Sequence, residues 1–166
     1  MLQTVQVITI MVVSIALTLS LAHALELPGK LRLPKEHYLA IQQIYYPGFS
    51  YGGFAEPIGI VLFLVLLIAT PAGSRQFWLT MAAFLLFLSM HATYWLVTHP
   101  VNNFWLKDFQ TGKLAGGFFS FDPLHSIDRL RSADWTALRD RWEYSHVIRA
   151  AFALTSLALL TTAVVV

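Results

Sequence analysis

Four stretches of this chain are apolar for long enough to cross a lipid bilayer, and this feature limits the possible folds more than any other. The hydrocarbon core of a bilayer is roughly 30 Å thick, so a helix needs about 20 mostly apolar residues to cross it. The four stretches cover residues 4–25, 52–71, 77–98 and 146–166. Hydrophobic residues make up 57% of the 166 residues and charged residues only 12%, which leaves more apolar surface than a soluble domain of this size can bury. We therefore predict an all-α integral membrane protein, a single domain that forms an antiparallel bundle of four transmembrane helices.

The first two stretches differ from simple apolar spans in their length or in a local motif. The purely apolar part of the second, Ile58 to Thr70, is too short to cross a bilayer by itself, so we expect the span to include Glu56. In the first, Ala22-His23-Ala24 resembles a signal-peptide cleavage site. No Lys or Arg precedes that apolar run, however, and the run is longer than the core of a signal peptide, so we expect this helix to remain. The chain contains no cysteine, which excludes disulfides, thiolate catalysis and cysteine-ligated metals.

Lys and Arg are concentrated in the two segments 26–51 and 99–145, which separate the first span from the second and the third from the fourth. The first segment holds Lys30, Arg32 and Lys35, and the second holds Lys107, Lys113, Arg129, Arg131, Arg139 and Arg141, whereas only Arg75 lies in the loop on the opposite side. The positive-inside rule therefore predicts that both segments are cytoplasmic and that both termini face away from the cytoplasm. We expect the membrane to be a bacterial inner membrane. The net charge of +2 is explained by this topology, so we expect no nucleic-acid partner.

The first cytoplasmic segment should contain a short interfacial helix. Pro34 suits the first turn of a helix, and Tyr38, Ile41 and Tyr45 recur at helical spacing before Tyr46-Pro47-Gly48 ends it. Five aromatic residues then lie close together in the sequence: Tyr45, Tyr46, Phe49, Tyr51 and Phe54. They could form an interfacial belt or line a site for an aromatic ligand.

The second cytoplasmic segment combines an irregular stretch with a helix. Residues Gln110 to Pro123 are rich in Gly and Phe and could form a lid or a surface loop. Ser132 is predicted to cap a helix that runs from Ala133 straight into the fourth span and ends at Val166. Its amphipathic start is indicated by the spacing of apolar residues before residue 146.

Ionisable residues of all four spans fall at the same end of the predicted bundle. Polar groups at membrane depth are costly, so they normally face the interior and pair with one another or with a ligand. Two E-x-x-H type pairs, one of them reversed, suggest a metal set of His23, Glu26, Glu56, Glu143 and His146. A salt-bridged network is the main alternative, with Arg149 paired to Glu26 or Glu56 and Arg139 paired to Glu143. A ligand or acid/base site without metal is a third interpretation, and His91 by itself is typical of helix packing.

Three groups of residues resemble the anthrone oxygenase-like family of small four-helix membrane proteins. Leu33-Pro34 and Ala40-Ile41-Gln42-Gln43-Ile44 resemble the segment that follows the first helix of that family, and Thr98-His99-Pro100-Val101-Asn102 is similar to its N-x-P-x-N element. The residues that enter the fourth helix also match: Trp135, Arg141, Trp142 and Arg149. The chain departs from the family pattern at Thr98, Ser145 and His146.

The resemblance implies an oxygenase that converts an anthrone to an anthraquinone with molecular oxygen and requires no cofactor. It implies a pocket at the loop-bearing end with Asn102 and Arg149 as polar residues. A base, His99 or His146, would remove an acidic C–H proton, and Asn102 and Arg149 would stabilise the enolate oxygen. The ligand-binding residues expected around a flat aromatic substrate are Trp95, Trp142, Tyr45 and Glu56.

Two other functions stay open at this point. The chain could be a non-catalytic small subunit of a larger membrane complex or a homo-oligomer, in which case its helix faces would contact other membrane proteins as well as lipid. It could instead bind a metal, haem or another pigment through His23, His91, His99 or His146.

Overall fold

The computed structural model describes residues 2–46, 48–106, 121–122, 130 and 133–166, with the backbone alone for 103–106. This part of the chain is 88% helical and contains no strand. Its helices are α1 (Leu2–Lys30), α2 (Lys35–Gln42), α3 (Gly48–Gly52), α4 (Ala55–Ala69), α5 (Arg75–Thr93), α6 (His99–Leu106) and α7 (Trp135–Val165). A 3-10 turn, Gln43–Tyr45, follows α2, and a π turn, Tyr94–Thr98, joins α5 to α6. The predicted irregular stretch Gln110 to Pro123 lies outside the described residues except for Phe121 and Asp122.

Four helical segments are long and apolar enough to cross a membrane, as predicted. They are Leu2–Lys30, Gly48–Ala69, Arg75–Asn102 and Trp135–Val165, with mean hydropathies of 2.3, 2.2, 1.5 and 1.8 in their most apolar windows. The second segment does include Glu56, because α3 and α4 extend the short apolar run toward the N-terminus. The first continues past residue 25 to Lys30, which adds a further turn with charged side chains.

The ends of the helices follow from local capping. Ser74 begins α5, where its Oγ accepts a hydrogen bond from the backbone N–H of Phe77 at 3.1 Å. The predicted cap of the last helix, Ser132, lies outside the described residues. The carboxylate of Asp134 accepts from the backbone N–H of Thr136 at 3.1 Å, so α7 begins at Trp135. The helix still runs without a break into the fourth apolar stretch, as expected.

An apolar core joins the four long helices. It contains Val13 and Leu17 of α1, Phe63 and Leu66 of α4, Phe87 and Met90 of α5, and Ala153 and Leu160 of α7. Helix α7 contacts both α1 and α5, and α4 contacts the same two helices. Small residues on α7 permit this close approach, and Ser156 donates its hydroxyl to the carbonyl of Ala83 on α5 at 2.7 Å.

The outer surface of these helices is apolar. Large apolar side chains are exposed there, among them Met11, Val61, Ile68, Leu85 and Leu154. Such a surface is unfavourable in water and suits contact with lipid. A second, smaller core lies at one end, where Tyr38 and Tyr45 pack with Val101, Leu138 and Trp142.

Replacing Gly59 should weaken the packing of α4 on α5. A Cβ at this position would lie 2.7 Å from the ring of Phe87, which is fully buried, so one of the two helices or the ring would have to shift. We expect Gly59→Ala to lower the free energy of unfolding by about 1–3 kcal/mol, measured by reversible unfolding in mixed micelles. The control is Gly29→Ala, where a Cβ meets nothing within 4 Å and stability should be kept. Equal stability of both variants would contradict the close helix contact.

Candidate functional site

Buried ionisable side chains collect at one end of the long helices, as the sequence predicted. They come from the last turns of α1, the start of α4, the end of α5 with its π turn, and the first half of α7. We divide them into two groups. The Lys30 cluster contains His23, Glu26, Lys30, Tyr38, Tyr45, Trp142 and Glu143, and the Arg149 cluster contains Glu56, His91, Tyr94, Trp95, His146 and Arg149.

The ammonium of Lys30 is the centre of the first cluster and is almost completely buried. His23, Glu26 and Lys30 lie on one face of α1 because they are three and four residues apart. The Nζ atom lies 2.8 Å from Oε2 of Glu26 and 3.5 Å from Oε1 of Glu143. It also donates to Nδ1 of His23 at 3.2 Å. Two carboxylates from different helices therefore share one buried cation.

Aromatic side chains enclose this cation. The rings of Tyr45 and Trp142 lie 4.7 and 4.9 Å from Nζ, which are cation–π distances. Tyr38 donates its hydroxyl to Glu143 at 2.9 Å, and Tyr45 donates to Glu26 at 2.6 Å. Burial raises the pKa of both tyrosines, and the carboxylates that they contact raise it further. Both hydroxyls therefore remain protonated donors.

The Arg149 cluster is built around a buried ion pair between α4 and α7. One guanidinium nitrogen of Arg149 donates to Oε1 of Glu56, and another donates to Nδ1 of His146 at 3.1 Å. The guanidinium carbon lies 5.1 Å from the centre of the Tyr94 ring. The second oxygen of Glu56 lies 2.9 Å from Nδ1 of His91. Glu56 thus connects three helices, and the predicted pairing with Arg149 is present.

The hydrogen bonds assign the protons of two histidines. The indole N–H of Trp95 can only donate, and it lies 3.0 Å from Nε2 of His91. Nε2 must therefore accept, so His91 is neutral and donates its Nδ1–H to Glu56. A guanidinium also can only donate, so Nδ1 of His146 accepts from Arg149. The proton of His146 is therefore on Nε2.

His99 and Asn102, both predicted to act directly on a substrate, contact other protein groups here. Nε2 of His99 donates to the carbonyl of Phe121 at 2.7 Å, and its Nδ1 lies 3.2 Å from the hydroxyl of Tyr94. Oδ1 of Asn102 accepts from the indole N–H of Trp142 at 2.7 Å. In this arrangement the two side chains hold the aromatic groups around the site in place.

The π turn between α5 and α6 was not expected from the sequence. Such turns are rare and frequently lie at functional sites. This one carries Tyr94 and Trp95, which contact Arg149 and His91 respectively. It thus brings two aromatic side chains from the end of α5 into the Arg149 cluster.

Three buried polar atoms of α7 have no hydrogen-bond partner among the described residues. They are Oε2 of Glu143, Nε2 of His146 and Nε of Arg149, and we call them the α7 stripe. Their residues are three apart, so they lie on successive turns of one helix. The first atom is an acceptor and the other two are N–H donors. An unpaired buried polar group costs about 1–3 kcal/mol, and a bound water or ligand oxygen removes this cost.

The five predicted metal ligands do not form a single set. Glu56 lies in the Arg149 cluster, whereas His23, Glu26 and Glu143 surround Lys30. Within the described ranges, no group of three or more His, Asp or Glu side chains is placed to hold a metal ion. The Nδ1 lone pairs of His23 and His146 are engaged by Lys30 and Arg149. As arranged here, the five residues do not fit one metal ion.

One ion pair predicted from the sequence is wrong, and one buried cation of the site was not predicted. The predicted pairing of Glu143 with Arg139 is wrong, because Arg139 pairs with its neighbour Asp140 at 2.7 Å and Glu143 is next to Lys30. Lys30 was attributed to membrane topology alone. Its spacing of four residues from Glu26 was the signal that could have placed it on the same face of α1.

Breaking the Glu56–Arg149 pair should be more harmful than removing it. Glu56→Gln or Arg149→Gln leaves one buried charge without its partner, and we expect a loss of about 3–5 kcal/mol in the free energy of unfolding. The double substitution should recover much of this loss, because it leaves no unpaired charge. Asp140→Asn is the control, since that pair is partly exposed and should contribute less than about 1 kcal/mol. Additive losses in the double variant would contradict a direct interaction.

Stability should fall at alkaline pH through Tyr38. Its pKa is raised in the folded protein by burial and by Glu143, so the stability that it contributes is complete below the unfolded value of about 10 and is lost as pH rises above it. We expect the free energy of unfolding to decrease with pH above about 10, and less steeply in Tyr38→Phe. An unchanged slope in that variant would assign the decrease to other groups.

Comparisons with known proteins identified no relative of this chain. No protein-family model, no curated protein and no solved structure matches the chain. The likeness to the anthrone oxygenase-like family thus remains a resemblance of the residues quoted above. Function has to be inferred from the contacts of the two clusters and from the α7 stripe.

Proposed function

We propose that this chain is an integral membrane protein that binds a small hydrophobic aromatic molecule at the α7 stripe and acts on it as an oxygenase-like enzyme. The observation that carries the proposal is the stripe itself, in which a buried acceptor on Glu143 and buried donors on His146 and Arg149 have no partner among the described residues. Aromatic rings adjoin it, since the rings of His23 and Trp142 each lie 4.3 Å from that of His146.

The proposed protein is an antiparallel four-helix bundle in the membrane. Four sufficiently long apolar helices and their exposed apolar side chains support this placement. The bias of Lys and Arg toward segments 26–51 and 99–145 supports a cytoplasmic position for both segments. The two clusters then lie near the cytoplasmic face of a bacterial inner membrane, and the termini lie on the opposite side.

The stripe has the groups that oxidation of an anthrone-like ketone requires. Oε2 of Glu143 accepts the proton of the activated CH2 group as general base. The N–H groups of His146 and Arg149 donate to the enolate oxygen as charge develops on it. The carbanion carbon then binds molecular oxygen, a proton returns to give a hydroperoxide, and loss of water leaves a carbonyl. In total, one CH2 group and one O2 become one C=O group and one water.

This assignment differs in one role from the expectation based on resemblance. His99 and His146 were expected as bases, but Nε2 of each carries a proton and Nδ1 of each faces a donor. Glu143 is therefore the better base, and Arg149 keeps its expected role. Trp142, Tyr45 and Trp95 supply aromatic surface around the clusters, whereas Asn102 positions Trp142.

The test is oxygen uptake by the purified protein in lipid nanodiscs with anthrone as the probe, with protein-free nanodiscs to subtract spontaneous oxidation. We expect wild-type protein to form anthraquinone with one O2 consumed per turnover. Glu143→Gln should lower kcat by about 100-fold or more, because it removes the base. Full activity in a folded Glu143→Gln variant would rule out this role.

Glu26→Gln is the matched control. It removes a carboxylate from the same cation, Lys30, but leaves the α7 stripe intact, so we expect a much smaller loss of activity. Absence of turnover in the wild type, together with stoichiometric copurification of other membrane proteins, would favour a non-catalytic subunit. A visible absorption band or near-stoichiometric metal would favour a haem, pigment or metal protein.

A further inference from the structure

We infer that Trp95, His91 and Glu56 are positioning residues that hold His146 as a hydrogen-bond donor in the α7 stripe. They lie on α5, its π turn and α4, and they act on His146 through Arg149. The use of this donor in catalysis rests on the proposed function. The position of the proton does not, because it follows from the hydrogen bonds alone.

The first half of the chain of contacts determines which group each carboxylate oxygen of Glu56 accepts a hydrogen bond from. The indole N–H of Trp95 requires a bare Nε2 on His91, which leaves His91 neutral with its proton on Nδ1. That proton is donated to one oxygen of Glu56 at 2.9 Å. The other oxygen is left for Arg149, and an ionised carboxylate can accept both bonds. His91 is therefore a neutral hydrogen-bond donor in this series of contacts.

The second half of the chain of contacts connects Glu56 to His146 through Arg149. Arg149 is anchored by Glu56 and stacked near the ring of Tyr94, so the nitrogen that faces His146 is held in place. If the proton of His146 moved to Nδ1, two N–H donors would face each other at 3.1 Å. One buried hydrogen bond would be lost, which disfavours this tautomer by about tenfold or more. His146 thus presents an N–H, not a lone pair, at Nε2.

The consequence concerns what the stripe can bind. A bare Nε2 would place a second acceptor one turn from Oε2 of Glu143, which has no partner among the described residues, whereas the protonated Nε2 complements that oxygen. A ligand oxygen that accepts a hydrogen bond is therefore favoured beside His146. A metal ion, which requires a lone pair on Nε2, is disfavoured.

The experiment is nitrogen–proton correlation NMR of the imidazole rings in protein labelled with ¹⁵N-histidine and reconstituted in lipid nanodiscs at neutral pH. We expect His91 and His146 to be neutral with opposite tautomers, Nδ1–H in His91 and Nε2–H in His146. Signals are assigned by their loss in His91→Gln and His146→Gln. A proton on Nδ1 of His146, or on both of its nitrogens, would overturn the inference.

The wild-type spectrum can still overturn the inference if those variants fail to fold. Hydrogen bonds place the protons of His23, His99 and His146 on Nε2, because Lys30, Tyr94 and Arg149 respectively donate to Nδ1. His91 is the exception within this group, so a neutral Nδ1–H ring must be present in the spectrum. Its absence would also overturn the inference.

A charge-balanced variant tests the connection through Arg149. In Glu56→Gln/Arg149→Gln, the amide oxygen that replaces the guanidinium can accept from Nδ1–H, so we expect both tautomers of His146 in comparable amounts. Glu26→Gln is the control and should change neither the His91 ring nor the His146 ring. An unchanged His146 tautomer in the double variant would show that Arg149 does not set it.

The tautomer and the proposed enzyme activity can fail separately. The expected tautomers without any turnover of anthrone would leave the positioning chain intact and remove the oxygenase proposal. Turnover with a different tautomer of His146 would do the reverse. Oxygen uptake and the imidazole spectrum therefore test different statements about the same residues.

Discussion

The buried ion pair between Glu56 and Arg149 is the contact on which the polar end of this protein depends. A charge inside an apolar helix is costly, and an ion pair offsets that cost only if its remaining hydrogen-bonding groups are also satisfied. Here His91 takes the second oxygen of Glu56, and His146 takes a further guanidinium N–H of Arg149, which leaves Nε of Arg149 without a partner among the described residues. The pair therefore sets the mutual position of α4, α5 and α7 at this end.

The second buried cation, Lys30, has a different environment, and its contacts leave one oxygen of Glu143 without a hydrogen-bond partner among the described residues. Lys30 is shared by Glu26 and Glu143 and is enclosed by aromatic rings, so its charge is compensated without a fixed planar geometry. Tyr38 and Lys30 both approach the same oxygen of Glu143, which leaves Oε2 free of partners among the described residues. A guanidinium with directed N–H groups orients His146, whereas a compact ammonium simply neutralises Glu143.

These two environments explain why the α7 stripe has a hydrogen-bond acceptor at one end and hydrogen-bond donors at the other. The stripe atom of Glu143 accepts, and the stripe atoms of His146 and Arg149 donate. Their neighbours hold each side chain in place before any ligand binds, which is the preorganisation that stabilisation of developing charge requires. The apolar core of the four helices supplies the rigid support, since Phe63, Phe87 and Leu160 are almost completely buried below this end.

The sequence is sufficient to predict the four long helices, because the length and hydropathy of an apolar run are local properties that a bilayer-spanning helix must satisfy. It also placed His23, Glu56, Glu143, His146 and Arg149 at one end, since the order of the helices requires it. Which of these groups pair with one another depends on how the helices pack. Lys30 could be assigned to Glu143 and Arg139 to Asp140 only from distances between side chains. The proton positions of His91 and His146 likewise depend on donors from other turns and helices, and spacing along the chain does not encode them.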